Sequence, residues 1–120
     1  MTAYPDQRRF LRYQIFDYTA ITLEDTTETF HAMLVDIGLG GAQLRSKLPL
    51  QDGASILMRI GRNEGEPLEI RGEVRHCMAV PDSDLFGSGI RFTPSTHAER
   101  VALAEFVHDV FQRQRDRLIH

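Results

Sequence analysis

Short runs rich in apolar residues, separated by turn residues, follow one another over much of the chain, and apolar and polar positions alternate most clearly in 42–50 and 68–78. Since successive side chains of a strand point to opposite faces, this period of two predicts β-strands. The clearest run spans 68–78, and its predicted inner face holds Leu68, Ile70, Gly72, Val74, a half-buried His76 and Met78. Its predicted outer face holds Glu69, Arg71, Glu73, Arg75 and Cys77. Further strands are predicted over 13–23, 29–37, 42–50, 54–60 and 85–92.

The period changes near the C-terminus of the chain. Apolar residues recur there at the spacing of a helix stripe, at Leu103, Phe106, Val107, Val110 and Phe111. Thr96 and Glu99 have the spacing of a capping box that would begin this helix, and arginines crowd its last turns, where cations suit the helix dipole. We expect the stripe to pack on the sheet. A surface for a second copy, as in a homodimer, or for another protein is the alternative.

Six strands followed by one helix define the predicted fold class. Short connections favour antiparallel pairing, and closure of the sheet hides its edges. The chain of 120 residues is long enough for one domain with one core. We therefore predict a six-stranded antiparallel β-barrel with a C-terminal helix, as a single domain over 1–120. Its parts would be a mobile arginine segment at 1–12, the barrel at 13–93 and the helix at 96–115.

Composition excludes several classes of function. The net charge of −3 and the 8% of aromatic residues argue against a DNA- or RNA-binding barrel, which needs a basic groove and stacking platforms. No apolar run approaches the length that membrane insertion requires. A single cysteine, Cys77, favours a reduced, cytoplasmic setting. The five histidines lack metal spacing and no catalytic constellation is present, so an enzyme is not predicted.

The segment VDIGLGGAQLRS, at 35–46, holds the first candidate for a binding site. A dinucleotide fingerprint would continue into a helix, whereas a predicted strand follows here. A plain hairpin, whose glycines supply positive φ, is the structural alternative. That alternative does not require Asp36 before the turn. Nor does it account for three arginines near the N-terminus that local acidic residues do not match in number, which are Arg8, Arg9 and Arg12.

Three motifs in this order resemble those of the PilZ domain family. Arg8 and Arg12 match the family's R-x-x-x-R, with Arg9 as the extra basic residue often found inside it. DIGLGG, at 36–41, is similar to the family's [DN]-x-S-x-x-G. GIRF, at 89–92, is similar to the G-x-x-F pattern of the last strand. The resemblance implies a six-stranded barrel with a terminal helix, in agreement with the periodicity.

The resemblance also implies a receptor for cyclic di-GMP, a bacterial second messenger, that uses no cofactor or metal. Arginine forks would hold the phosphates, and Asp36 would accept hydrogen bonds from a guanine edge. Gly41 would permit the bend and the close approach of the ligand. Gly38 stands where the family has serine, so one hydroxyl is missing. Arg75 is a further candidate, for which a solvated strand charge is an equal alternative.

Two functions within the resemblance remain open. In the first, cyclic di-GMP orders the arginine segment, and the change is relayed to a protein partner. In the second, the chain is an interaction adaptor with the same fold that no longer binds the nucleotide. Gly38 supports the second function, and the retained arginines support the first.

Overall fold

The computed structural model describes residues 12–61 and 66–119, with side chains over 17–61 and 66–116. Apart from Arg12, the arginine segment predicted at 1–12 lies outside the described residues. The strands are β1 Arg12–Leu23, β2 Thr29–Gly38, β3 Gly41–Ser46, β4 Ser55–Ile60, β5 Leu68–Ala79 and β6 Phe86–Phe92, and the helix α1 spans His97–Ile119.

The strands form a closed barrel in the order β1-β2-β3-β6-β5-β4, and all neighbouring pairs are antiparallel. The predicted fold class is therefore confirmed. Its interior is filled by alternate residues of the strands, chiefly Ile21, Leu34, Ile37, Leu44, Ile56, Met58, Ile60, Ile70, Val74 and Ile90. Most of these side chains are isoleucine or valine, whose β-branched shape suits a pleated and tightly packed surface.

The third predicted strand is shorter than its pattern suggested. It ends at Ser46 instead of residue 50, although Ala42, Leu44 and Ser46 do share the buried face. The Ser46 hydroxyl donates a 2.7 Å hydrogen bond to the Leu48 carbonyl oxygen, which closes a local turn. Pro49 follows, and it has no backbone N–H group to donate to a sheet hydrogen bond. The alternation of apolar and polar residues alone does not predict that the strand ends at Ser46.

The face prediction for β5 is correct up to Arg75 and wrong from His76 onward. The register with β6 shifts between Val74 and His76, as it does at a β-bulge. One extra residue turns every later side chain to the other face. Cys77 therefore packs against the core, whereas His76 is exposed and Met78 is 71% exposed.

The helix begins as its capping residues predicted. The Glu99 amide donates to the Thr96 hydroxyl at 3.1 Å, and the Ser95 amide donates to the Glu99 carboxylate at 2.9 Å. The helix packs on β5 and β1. Its stripe is buried except at Phe111, which is 37% exposed at the margin of the contact. Of the helices in the described residues, none combines the length and the apolar character needed to cross a bilayer.

Candidate functional site

The glycine turn joins β2 to β3 and is fastened to a third strand. Only Leu39 and Gly40 separate the two strands, and Leu39 is 42% exposed at the tip. The Phe92 amide of β6 donates a 2.9 Å hydrogen bond to the Gly40 carbonyl oxygen. Gly41 is paired with Arg91 in the β3–β6 register. The turn is thus held in place by the strand that carries the GIRF sequence.

Gly41 has no side chain because β6 passes too close to it. A Cβ at this position would collide with the Ile90 carbonyl oxygen, and would lie 3.2 Å from the carbonyl carbon of the same residue. The plain-hairpin alternative, in which the turn glycines supply positive φ, is not supported at Gly41, and among the described glycines it is Gly53 that has this conformation. The backbone of β6 approaches Gly41 this closely, and the approach of a ligand to Gly41 stays a prediction.

Asp36 lies on the outer surface of the barrel, next to a bulge in the β2–β3 register. Its neighbour Ile37 is buried in the core, and Asp36 itself is half-buried. Asp36 is paired with Gln14 of β1 on one side and with Gln43 of β3 on the other. The bulge therefore keeps a carboxylate on the outside, two residues before the strand ends in the glycine turn.

The residues paired across the outer surface from Asp36 and Gln43 continue onto the next two strands, β6 and β5. Gln43 is paired with Gly89 of β6, and Gly89 is paired with His76 of β5. The His76 ring covers Gly89 so closely that a Cβ there would meet the ring at 2.8 Å from Cε1. A row of polar side chains thus runs across the outer barrel surface from Asp36 to the imidazole.

The structure brings one arginine of the first motif to the turn. Arg12 begins β1, and its backbone is paired with Gly38, the residue that ends β2. The last residue of the R-x-x-x-R motif and the DIGLGG motif therefore meet across the β1–β2 pair. Arg8 and Arg9 lie outside the described residues, so their part in the site stays a prediction.

A charged group beside the turn was missed by the sequence reasoning. On the outer face of β5 and β6, the Glu73 carboxylate oxygen Oε1 lies 3.3 Å from Arg75 Nη1 and 3.6 Å from Arg91 Nη2. Arg75 was a sequence candidate, whereas Arg91 was not. The alternation within GIRF does place Arg91 on the outer face. Its proximity to the turn depends on the β3–β6 pairing, which no local pattern reveals.

The amino-acid sequence of this chain matches a known family of domains. The family model described as the PilZ domain matches residues 6–109 of this chain. The chain therefore belongs to the PilZ domain family, as its motifs predicted. A search of curated proteins found no match.

Solved structures share this fold at low sequence identity. The PilZ domain of YcgR from Escherichia coli, solved with cyclic di-GMP, is 16% identical with a TM-score of 0.76, over 94% of this chain and 98% of that one. MrkH of K. pneumonia, solved as a cyclic di-GMP complex, is 17% identical with a TM-score of 0.78, over 93% of this chain and 56% of that one. The Bacillus subtilis inhibitor of motility is 20% identical with a TM-score of 0.70, over 92% and 53%. The chain spans about half the length of the last two proteins.

Proposed function

We propose that this chain is a cytoplasmic receptor for cyclic di-GMP that binds the nucleotide between its N-terminal arginines and the glycine turn. The observation that carries the proposal is the pairing of Arg12 with Gly38 and of Gln14 with Asp36, in a chain of the PilZ family. Two solved relatives of the same fold, YcgR and MrkH, were determined with this nucleotide, which supports the choice of ligand.

The chemistry of the ligand suits these residue types. Cyclic di-GMP carries two phosphodiesters and two guanines. An arginine fork bonds phosphate oxygens in pairs and can stack its flat face on a base. Each hydrogen bond to a charged group contributes about 1.5–3 kcal/mol, so Arg8, Arg9 and Arg12 together can supply much of the roughly 8 kcal/mol of micromolar binding. Asp36, which only accepts when ionised, would take the N1–H and amino group of one guanine.

Gly38 changes the expected strength of binding. A serine at this position would offer a hydroxyl to the ligand, and its absence costs about 0.5–1.5 kcal/mol. A water molecule can replace part of that contact. We therefore expect an affinity below that of a receptor with the full motif.

Binding would be relayed through the N-terminal arginine segment. Ordering of a segment around a ligand is one of the recurrent ways in which a protein switches state. Part of the contact energy would be spent on that ordering. The ordered segment would then present a different surface to a downstream protein partner.

A second candidate function is favoured by one observation, the glycine at position 38. In this alternative the chain is an adaptor of the same fold that contacts proteins and no longer binds the nucleotide. The arginines at 8, 9 and 12, together with Asp36, are then without a ligand. The two functions differ in one measurable property, which is the affinity for cyclic di-GMP.

Isothermal titration of the purified chain with cyclic di-GMP tests the proposal. We expect saturable binding that Arg12→Ala abolishes and that GTP does not reproduce. Gly38→Ser should strengthen binding about threefold to tenfold, because it restores one hydrogen bond. The stoichiometry would separate one nucleotide from an intercalated pair. The absence of heat, together with an unchanged melting temperature in the presence of the nucleotide, would leave the adaptor as the function.

A further inference from the structure

Arg91 is the charged residue that the barrel topology brings to the glycine turn. It is paired with Gly41, and its neighbour Phe92 donates its amide to the Gly40 carbonyl oxygen at 2.9 Å. The backbone on both sides of Arg91 is therefore fixed relative to the turn. Ile90 and Phe92 point into the core, so the guanidinium of Arg91 projects from the outer surface.

This guanidinium shares one carboxylate with a second arginine. Glu73 Oε1 lies 3.6 Å from Arg91 Nη2 and 3.3 Å from Arg75 Nη1. The side chains of the two arginines are 57% and 56% exposed, and that of Glu73 is 36% exposed. Two positive charges thus face one negative charge, and the group carries a net positive charge beside the turn.

We propose that Arg91 and Arg75 form a second arm of the nucleotide site, in which a phosphate of the cyclic dinucleotide takes the place of the Glu73 carboxylate. The inference rests on the proposed function and adds residues to the same site. It makes Arg91 a ligand-binding residue and Arg75 its weaker partner. Glu73 would hold both side chains near the turn until the ligand arrives.

The exchange is favourable on physical grounds. Exposed ion pairs at these separations contribute little to stability, so the Glu73 contacts are easily given up. Each contact is also made by a single nitrogen, and both distances are longer than the roughly 2.7–2.9 Å of a charged hydrogen bond. A phosphodiester can accept from two nitrogens of one guanidinium, and it brings its charge to a surface that is already net positive.

The alternative is that the three residues only stabilise the sheet, as cross-strand pairs do. The barrel offers a matched control for this role. Arg59 of β4 is paired with Glu69 of β5, with Nε and Oε2 3.9 Å apart and side chains 59% and 57% exposed. β4 lies three strands from β3 in either direction around the barrel. A stabilising role would be shared by both pairs, whereas a binding role belongs to the group beside the turn.

The experiment compares cyclic di-GMP titrations of the full chain and of five variants. Arg91→Ala should weaken binding about tenfold, because a charged hydrogen bond to phosphate is lost. Arg75→Ala should weaken it less. Glu73→Gln should strengthen it about twofold to fivefold, since the competing carboxylate is removed. Arg59→Ala and Glu69→Gln should bind as the unmodified chain does. Melting temperatures of all the variants are measured to verify that each is folded.

The outcomes separate this inference from the function on which it rests. Saturable binding by the unmodified chain, with Arg91→Ala equal to Arg59→Ala, would overturn the second arm and leave the receptor intact. Weaker binding by Glu73→Gln would overturn the exchange, because the carboxylate would then contact the ligand itself. No binding by the unmodified chain would overturn both the receptor and the arm.

Discussion

Replacement of Gly41 by alanine should destabilise the barrel independently of any ligand. The new Cβ would collide with the Ile90 carbonyl oxygen, and it would lie 3.2 Å from the Ile90 carbonyl carbon and 3.4 Å from Arg91 Cα. All three atoms belong to the backbone of β6, so no side chain can rotate away. The clash can be relieved only if β3 and β6 move apart where the Phe92 amide bonds Gly40.

The magnitude follows from opposing contributions. Overpacking of this kind costs about 1–3 kcal/mol, and weakening of the Phe92–Gly40 hydrogen bond adds about 0.5–1.5 kcal/mol. Alanine restricts the unfolded chain more than glycine does, which stabilises the folded protein by about 0.4–1 kcal/mol and offsets part of this loss. The net loss is about 2 kcal/mol, or a fall of roughly 6–10 °C in the melting temperature for a domain of this size.

Thermal unfolding followed by circular dichroism tests this prediction, with urea titration as a second measure. Gly61→Ala is the matched control, because a Cβ there has no atom of the described residues within 4 Å and the backbone is not left-handed. It should remain within about 0.5 kcal/mol of the unmodified chain. If Gly41→Ala melts at the same temperature as Gly61→Ala, the close approach of β6 does not account for the glycine. The result also affects how binding by this variant is interpreted, because a loss of binding in Gly41→Ala would not by itself identify a ligand contact.

Three further substitutions should change stability in directions that the structure distinguishes. Thr96→Ala removes the hydroxyl that accepts from the Glu99 amide and should cost about 1 kcal/mol in the urea unfolding free energy. Ser88→Ala should be stabilising by about 1 kcal/mol, because the Ser88 hydroxyl is buried without a hydrogen-bond partner among the described residues. Gly89→Ala should cost less than about 1 kcal/mol, since the group in its way is the exposed His76 ring, which can swing aside.

Each of these three results has a contrary outcome with a clear meaning. Unchanged stability in Thr96→Ala would show that the helix start does not depend on its cap. A loss of stability in Ser88→Ala would mean that a bound water or another group satisfies the hydroxyl. A loss in Gly89→Ala as large as that in Gly41→Ala would mean that the imidazole is locked over β6.

Part of the candidate site was predictable from the sequence. The predictable residues are close together in sequence, whereas the others are brought to the turn by pairing between distant strands. Asp36 and Gly41 were visible because they stand in one short motif whose residues are consecutive in sequence. A structural reason for Gly41 was not predicted, since the atom that excludes a side chain belongs to Ile90, which lies 49 positions later in the chain. Arg91 was overlooked for the same reason, because its position beside the turn depends on pairing between distant strands.

The sequence by itself determined the elements and the class of fold. Alternation at period two marks strands, a stripe at helical spacing marks the helix, and a capping pair marks its start, since all these signals are local in sequence. Only the tertiary structure decided where a strand reverses its faces and which strands meet. The bulge after Val74 puts Cys77 inside and Met78 outside. Such a bulge adds one unpaired residue in response to the partner strand and leaves no periodic trace, so packing across the barrel had to reveal it.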